Sequence, residues 1–172
     1  MEISEVRRRF EYLIDTRARF LDAARSVGWA EFERDRQASW QSMLGIYLHM
    51  LDVEEAWLQY ACRGLSPDDS PSRVAKEFID FDMLAAASTR VAYATTEFLG
   101  SLDSADLARA VSFREGHATT VRRIDRILTH AFVDEVAHVG ELVCLFWQLG
   151  VHPPYLDWLD YRFEEDPPAA TR

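Results

Sequence analysis

Apolar residues recur every three or four positions at the start of the chain: Ile3, Val6, Phe10, Leu13, Ile14, Phe20, Leu21 and Ala24. That spacing predicts an amphipathic helix over residues 2–26, ended by Gly28. A second series spans 38–62 through Trp40, Met43, Leu44, Ile46, Tyr47, Leu48, Met50, Leu51, Val53, Ala56, Trp57 and Leu58. Being apolar on most sides, this helix should be among the most buried. GLSPDDSPSR, residues 64–73, gathers turn formers and reads as a loop. A third helix is expected over 78–99, where AAAS and VAYATT allow close approach to neighbours. VSFRE, residues 111–115, alternates like a short strand or an extended connection. Thr119 or Thr120 can then N-cap a long fourth helix that stops at Gly150, with Pro153 and Pro154 just beyond.

Four long helices without a convincing sheet or a repeat predict an all-α protein, a four-helix bundle. One domain over residues 1–160 is expected, followed by a polar tail, 161–172. The connections 64–77 and 101–118 are long enough to cross over the bundle, so simple up-down-up-down order does not follow. A chain of 172 residues with 48% hydrophobic and 28% charged residues has room for one full core. Its charge balance, 19 minus 29 or −10, disfavours nucleic acid and anionic membranes as partners. The N-terminal MEISEVRRRFEYL lacks the apolar core of a signal peptide, and no window approaches the roughly 20 apolar residues of a membrane span. A cytoplasmic protein is expected. Cys62 and Cys144 form no CxxC pair and read as buried structural residues.

The candidate chemistry lies on the fourth helix. His130, Asp134 and His138 are spaced by four, and each step advances about 400°, so all three project from one side. The apolar seam of this helix passes through Ile124, Ile127, Ala131, Asp134, His138, Leu142 and Leu145. Two titratable groups thus stand where aliphatic residues would fill a core, and a carboxylate there needs a partner. An Asp–His hydrogen bond and a metal ion are the simplest answers. His49, in the middle of the buried second helix and one turn after Gly45, adds a second imidazole from a facing helix. Two histidines and one carboxylate leave positions open for water or substrate, as catalytic metal sites do.

Several neighbours carry both a functional and an ordinary reading. His130 is a further nitrogen for the ion or a packed histidine; Glu141 and Asp52 orient the imidazoles or face solvent. Arg122, Arg123 and Arg126 form a basic patch that meets the carboxylates of a thiol or is simply a solvated face. Glu135-Val136-Ala137-His138 spells ExxH, the element of di-iron bundles, but it occurs once and Glu135 lies off the Asp134–His138 seam. A ferritin-like oxidase is therefore excluded. No glycine-rich phosphate loop and no GxSxG elbow is present.

HMLDVEEAWL on the second helix with THAFVDEVAHVGEL on the fourth resembles the DinB-like superfamily of four-helix-bundle metalloproteins, related to the bacillithiol- and mycothiol-dependent S-transferases. The resemblance implies one metal histidine on the second helix and an HxxxH on the last, followed by a Gly-Glu or Gly-Gln pair. His49 and His138 match, with Gly140-Glu141 following, while Asp134 stands where the first histidine of HxxxH is usual. Aspartate is a competent ligand for the ions expected here, zinc or nickel first and then iron or manganese, and being harder than imidazole and charged it can shift the preference among them. The implied function is a mononuclear metal-dependent enzyme acting on a small molecule, either transferring a low-molecular-weight thiol or hydrolysing its substrate. The alternative is a non-catalytic metal-binding or stress-response protein. The resemblance also implies a homodimer, for which the five tryptophans offer interface as well as core material.

Overall fold

The computed structural model describes residues 1–163. In chain order it contains helices α1 (Ile3–Val27), α2 (Trp29–Phe32) and α3 (Met43–Glu55), then α4 (Phe81–Gly100), strands β1 (Ala110–Glu115) and β2 (Ala118–Arg123), and α5 (Ile124–Gln148). Three of the four long helices start or stop on a local signal. Ser42 Oγ accepts the Gly45 N–H at 3.0 Å to open α3, and Asp80 Oδ1 accepts the Met83 N–H at 2.8 Å to open α4. Gly28, at φ +87°, turns the chain out of α1.

Side-chain packing sets the bundle's topology. One core cluster joins the C-terminal half of α1 (Phe20, Ala24), the N-terminal halves of α3 (Leu44) and α4 (Leu84), and the C-terminal half of α5 (Phe146). The other joins the opposite halves through Phe10, Val53, Phe98 and Ile127. So α1 and α5 run one way and α3 and α4 the other. The contacts pair α3 with α5 and α4, and α1 with α4 and α5, placing α1 and α3 on a diagonal. Because α3 and α4 are parallel, the connection between them returns the full length of the bundle. The expected crossover is therefore real, and its first residues, Ala56–Tyr60, form a π-helical turn.

Three boundaries differ from the sequence reading. The second helix begins only at Met43, and Trp40 lies in the preceding loop, 47% exposed. The apolar series there continued through residues that pack on the site instead of on the core. Thr119 and Thr120 do not cap the fourth helix: they pair with Arg114 and Phe113 across an antiparallel hairpin turned by Gly116 at φ +57°. The expected strand at 111–115 is present, and its partner occupies the stretch read as a helix cap. Cys62 is buried as expected, its thiol pushed up to about 12 by burial, whereas Cys144 is exposed. Of the expected polar tail, residues from 164 onward lie outside the described residues.

A polar layer divides the two core clusters. Fully buried Arg17 donates from Nη1 to Glu54 Oε2 at 2.6 Å, from Nη2 to Glu54 Oε1 at 3.2 Å, and from Nη1 to Glu135 Oε2. Thr95 Oγ1 donates to Glu54 Oε1 at 2.6 Å, and Tyr47 Oη to the Arg17 carbonyl at 3.2 Å. Glu135 was expected off the buried seam; it is instead completely buried, four residues after Ala131 and seven before Leu142. One guanidinium serves two carboxylates, so they divide the work. Burial alone would raise Glu54, but Arg17 beside it holds its pKa below the ordinary value. Burial raises Glu135 well above 4.5 despite Arg17, and the Glu54 charge adds to the rise.

Replacing Arg17 with Met strands the buried Glu54 carboxylate, leaves Glu135 without its donor, and is expected to cost about 3–5 kcal/mol in chemical denaturation at neutral pH. Glu135→Gln, which copies the protonated acid, should be tolerated. A pKa raised in the folded protein gives stability that is full below 4.5 and lost as pH climbs through the folded value. The stability of Glu135→Gln relative to the parent is therefore expected to rise with pH above 4.5, and a flat difference in urea titrations would contradict the assignment.

Candidate metal centre

The packing of α3 on α5 brings the three predicted residues together. His49 Nε2 lies 3.5 Å from Asp134 Oδ2, and His138 Nε2 lies 3.7 Å from the same oxygen. One ligand atom from each residue falls within 4.8 Å of the others. The two shorter separations are too long for good hydrogen bonds. They are close to the roughly 3.4 Å between two ligand atoms that each stand about 2.1 Å from a shared tetrahedral ion. Asp134 Oδ2 is also buried with no hydrogen-bond partner, an arrangement that is costly unless a cation occupies the space it faces.

The imidazoles are prepared as ligands. Burial and the neighbouring His138 lower the pKa of His49 below 6.5, outweighing the pull of Asp134, so its ring is neutral near pH 7. His138 Nδ1 is 2.6 Å from Glu141 Oε2, which also accepts the Ser39 hydroxyl at 2.7 Å. Burial would raise the Glu141 carboxyl, but the hydrogen bonds from Ser39 and His138 keep it below the ordinary value. An ionised acceptor at Nδ1 fixes the proton there and leaves the Nε2 lone pair for the side facing Asp134. Glu141 thus has the orienting role that its spacing allowed.

A loop of unusual backbone supplies the remaining support. Gln37 and Gln41 adopt φ values of +56° and +67°, uncommon for residues with side chains. Between them, Trp40 stacks on His49 with ring centroids 4.0 Å apart and planes 19° from parallel. Stacking occupies the face of the imidazole and leaves its in-plane nitrogens free. A Cβ on Gly45 would stand 2.0 Å from the Trp40 carbonyl oxygen, so the loop approaches α3 only because this position is glycine.

Other predicted participants lie elsewhere. His130 is exposed and stands edge-on to Trp57 at 4.8 Å; it does not join the three-residue group. Asp52 accepts from the Arg73 backbone N–H and from its Nη1 at 2.6 Å, tying down the crossover instead of orienting His49. Arg123 pairs with Asp125 at 2.6 Å. The residues that the sequence reading missed are Arg17, Glu54, Ser39 and the π turn bearing Trp57. Arg17 and Glu54 carried a usable signal, because each is a charge on an otherwise apolar helical face; Ser39 carried none.

A cavity of about 640 Å³ opens beside His49, bounded by Trp40, Asp52, Trp57, Arg73 and Glu115. It gives a ligand an approach to the histidine. A second cavity of about 250 Å³ shares Trp57 and Glu115 with the first and adds Thr120, Arg122, Arg126 and His130.

Among solved structures the chain is similar to a DinB-like protein, YjoA, of Bacillus subtilis. The two are 14% identical, the match covers 87% of this chain and 98% of that one, and the TM-score is 0.66. At this identity the likeness concerns the fold. No curated protein matches. The model of the DinB family, by contrast, matches residues 4–170, which takes in all four long helices and the His49, Asp134 and His138 positions. The chain therefore belongs to the DinB family.

Proposed function

We propose that this DinB-family chain is a mononuclear metalloenzyme whose ion is held by His49, Asp134 and His138 and whose substrate enters through the adjoining cavity. The observation that carries this reading is the buried, unpartnered Asp134 Oδ2, 3.5 and 3.7 Å from two imidazole nitrogens. Two nitrogens and one carboxylate suit zinc or nickel, with iron or manganese as the harder alternatives. When bound, such an ion supplies Lewis acidity that lowers the pKa of a coordinated water or thiol to produce a nucleophile near neutral pH.

The chain's own residues do the rest. Asp134 offsets part of the ion's charge. Glu141 holds the His138 proton on Nδ1, and Trp40 fixes the plane of His49. The cavity wall orients the remainder of the substrate. Two reactions fit this arrangement: attack of a low-molecular-weight thiol on an electrophile, and hydrolysis. A non-catalytic ion-binding role would use the same ligands and show no metal-dependent turnover of either kind.

Untagged protein prepared without chelator is expected to carry about one ion per chain by elemental analysis, strongly reduced in His49→Ala and His138→Ala. An empty parent after reconstitution with zinc, nickel, manganese and iron would overturn the proposal. Loss of an outer partner of a ligating histidine weakens metal binding about 10- to 100-fold. Glu141→Gln should lower the affinity by at least about tenfold in a chelator competition, and Trp40→Ala, which removes the stacked face from His49, should also lower it. Trp40→Phe, which keeps an aromatic face, should restore most of it.

A further inference from the structure

Most arginines of the described residues are engaged, as expected in a chain of net charge −10. Arg17, Arg19, Arg25, Arg36 and Arg73, for example, each meet a carboxylate. Arg122 and Arg126 do not. Arg122 donates from Nη1 to the carbonyl of its neighbour Val121 at 2.8 Å, and Arg126 makes no hydrogen bond or ion pair among the described residues. Both line the cavity of about 250 Å³, where Glu115 is the one carboxylate. Two guanidinium groups with no carboxylate partner among the described residues line one concavity and leave it net positive in a negative protein.

The position of this pocket relative to the metal centre gives it meaning. It shares Trp57 and Glu115 with the larger cavity beside His49, so the two form one cleft. In the larger part the lining cation, Arg73, is already consumed: Nη1 reaches Asp52 at 2.6 Å and Nη2 reaches Glu55 at 2.5 Å. Asp52, Asp68 and Glu115 make that part acidic. Among the described residues, the cations of the cleft that lack a carboxylate partner therefore lie beyond Trp57. The indole that divides the two parts is held edge-on by Phe113 at 6.0 Å and by His130 at 4.8 Å.

We propose that the pocket of Arg122, Arg126 and Thr120 is the carboxylate subsite of the cleft, taking the far end of an extended organic ligand. The guanidinium fork matches the planar carboxylate and can bind it through two parallel hydrogen bonds. Resting on the metal reading above, the other end of the same ligand lies at His49, the member of the three-residue group that lines the cleft. Eight residues of α5 separate Arg126 from Asp134, about 12 Å at 1.5 Å per residue. An extended tripeptide spans about 10–11 Å. The substrate class is thus a molecule of about tripeptide length with a terminal carboxylate.

The test uses metal-free protein, so that it stands whether or not an ion binds. Benzoate and benzamide, nearly identical in shape, are titrated at low salt while the indole signals are followed by NMR, with Trp57→Phe assigning the relevant one. Benzoate is expected to bind at least about tenfold tighter than benzamide and to shift Trp57, with the preference falling as salt is added. The Arg122→Gln/Arg126→Gln double variant should bring the ratio to about one. Arg90→Gln, on exposed α4 surface, should leave it unchanged, and Glu115→Gln should tighten benzoate. Equal binding of the two probes, a preference that survives the double variant, or a benzoate response at His49 and not at Trp57 would overturn the proposal. Elemental analysis reports separately on the metal, so failure of one reading is distinguishable from failure of the other.

Discussion

Arg17 stands at mid-height in the bundle, where α3 offers it Glu54, α5 offers it Glu135, and the Thr95 hydroxyl of α4 completes the set behind Glu54. A guanidinium without these acceptors would not survive in a core of leucine and phenylalanine, and neither carboxylate would survive without it. The layer therefore fixes more than its own contacts. It reaches across the diagonal between α1 and α3, one of the two pairs of long helices with little other direct packing, and it turns Glu135 of α5 into the core. With Glu135 turned into the core, the preceding residue is carried about 100° around the helix to the groove against α3. That residue is Asp134, and His138 lies one turn farther along the same edge.

Two of the three residues of the candidate metal centre, Asp134 and His138, are thus attached to the core through the backbone of α5, and His49 through that of α3. The outer side of the centre is built differently, from an irregular loop with two positive-φ glutamines, one glycine contact and a tryptophan laid on His49. Ser39 from the same loop reaches His138 through Glu141. Each imidazole therefore has one fixed face or nitrogen, and the oxygen between them has none. The asymmetry is what distinguishes this cluster from the many acid–histidine contacts on protein surfaces: His138 Nδ1 and Glu141 are hydrogen-bonded, and Asp134 Oδ2 is not.

The crossover and the hairpin shape the approach to that centre. Parallel α3 and α4 force the chain back along the bundle, and the returning segment places Arg73 where it anchors on Asp52 and Glu55. The π turn at its start presents Trp57 between two cavities, one acidic beside His49 and one lined by arginines of β2 and α5 that have no carboxylate partner among the described residues. Local irregularities in helices commonly mark functional sites, and this one separates two regions of opposite charge.

The sequence by itself determined the four helices, their order and the identity of the three candidate ligands. Apolar spacing and capping residues are local signals, and a histidine or aspartate on an apolar helical face is conspicuous wherever the helix ends up. Membership of the DinB family was legible in the same two stretches. Only the tertiary structure decided which face of α5 is buried. Asp134 and Glu135 are adjacent, both fit an apolar seam within one residue's rotation, and the choice was made by Arg17, 118 residues away from Glu135. The hairpin was hidden for a related reason: threonines that cap helices also pair in strands, and only the partner strand tells which. Trp40 continued an apolar pattern that its own loop abandons. In each case the deciding energy came from a residue distant in sequence, which no local periodicity contains.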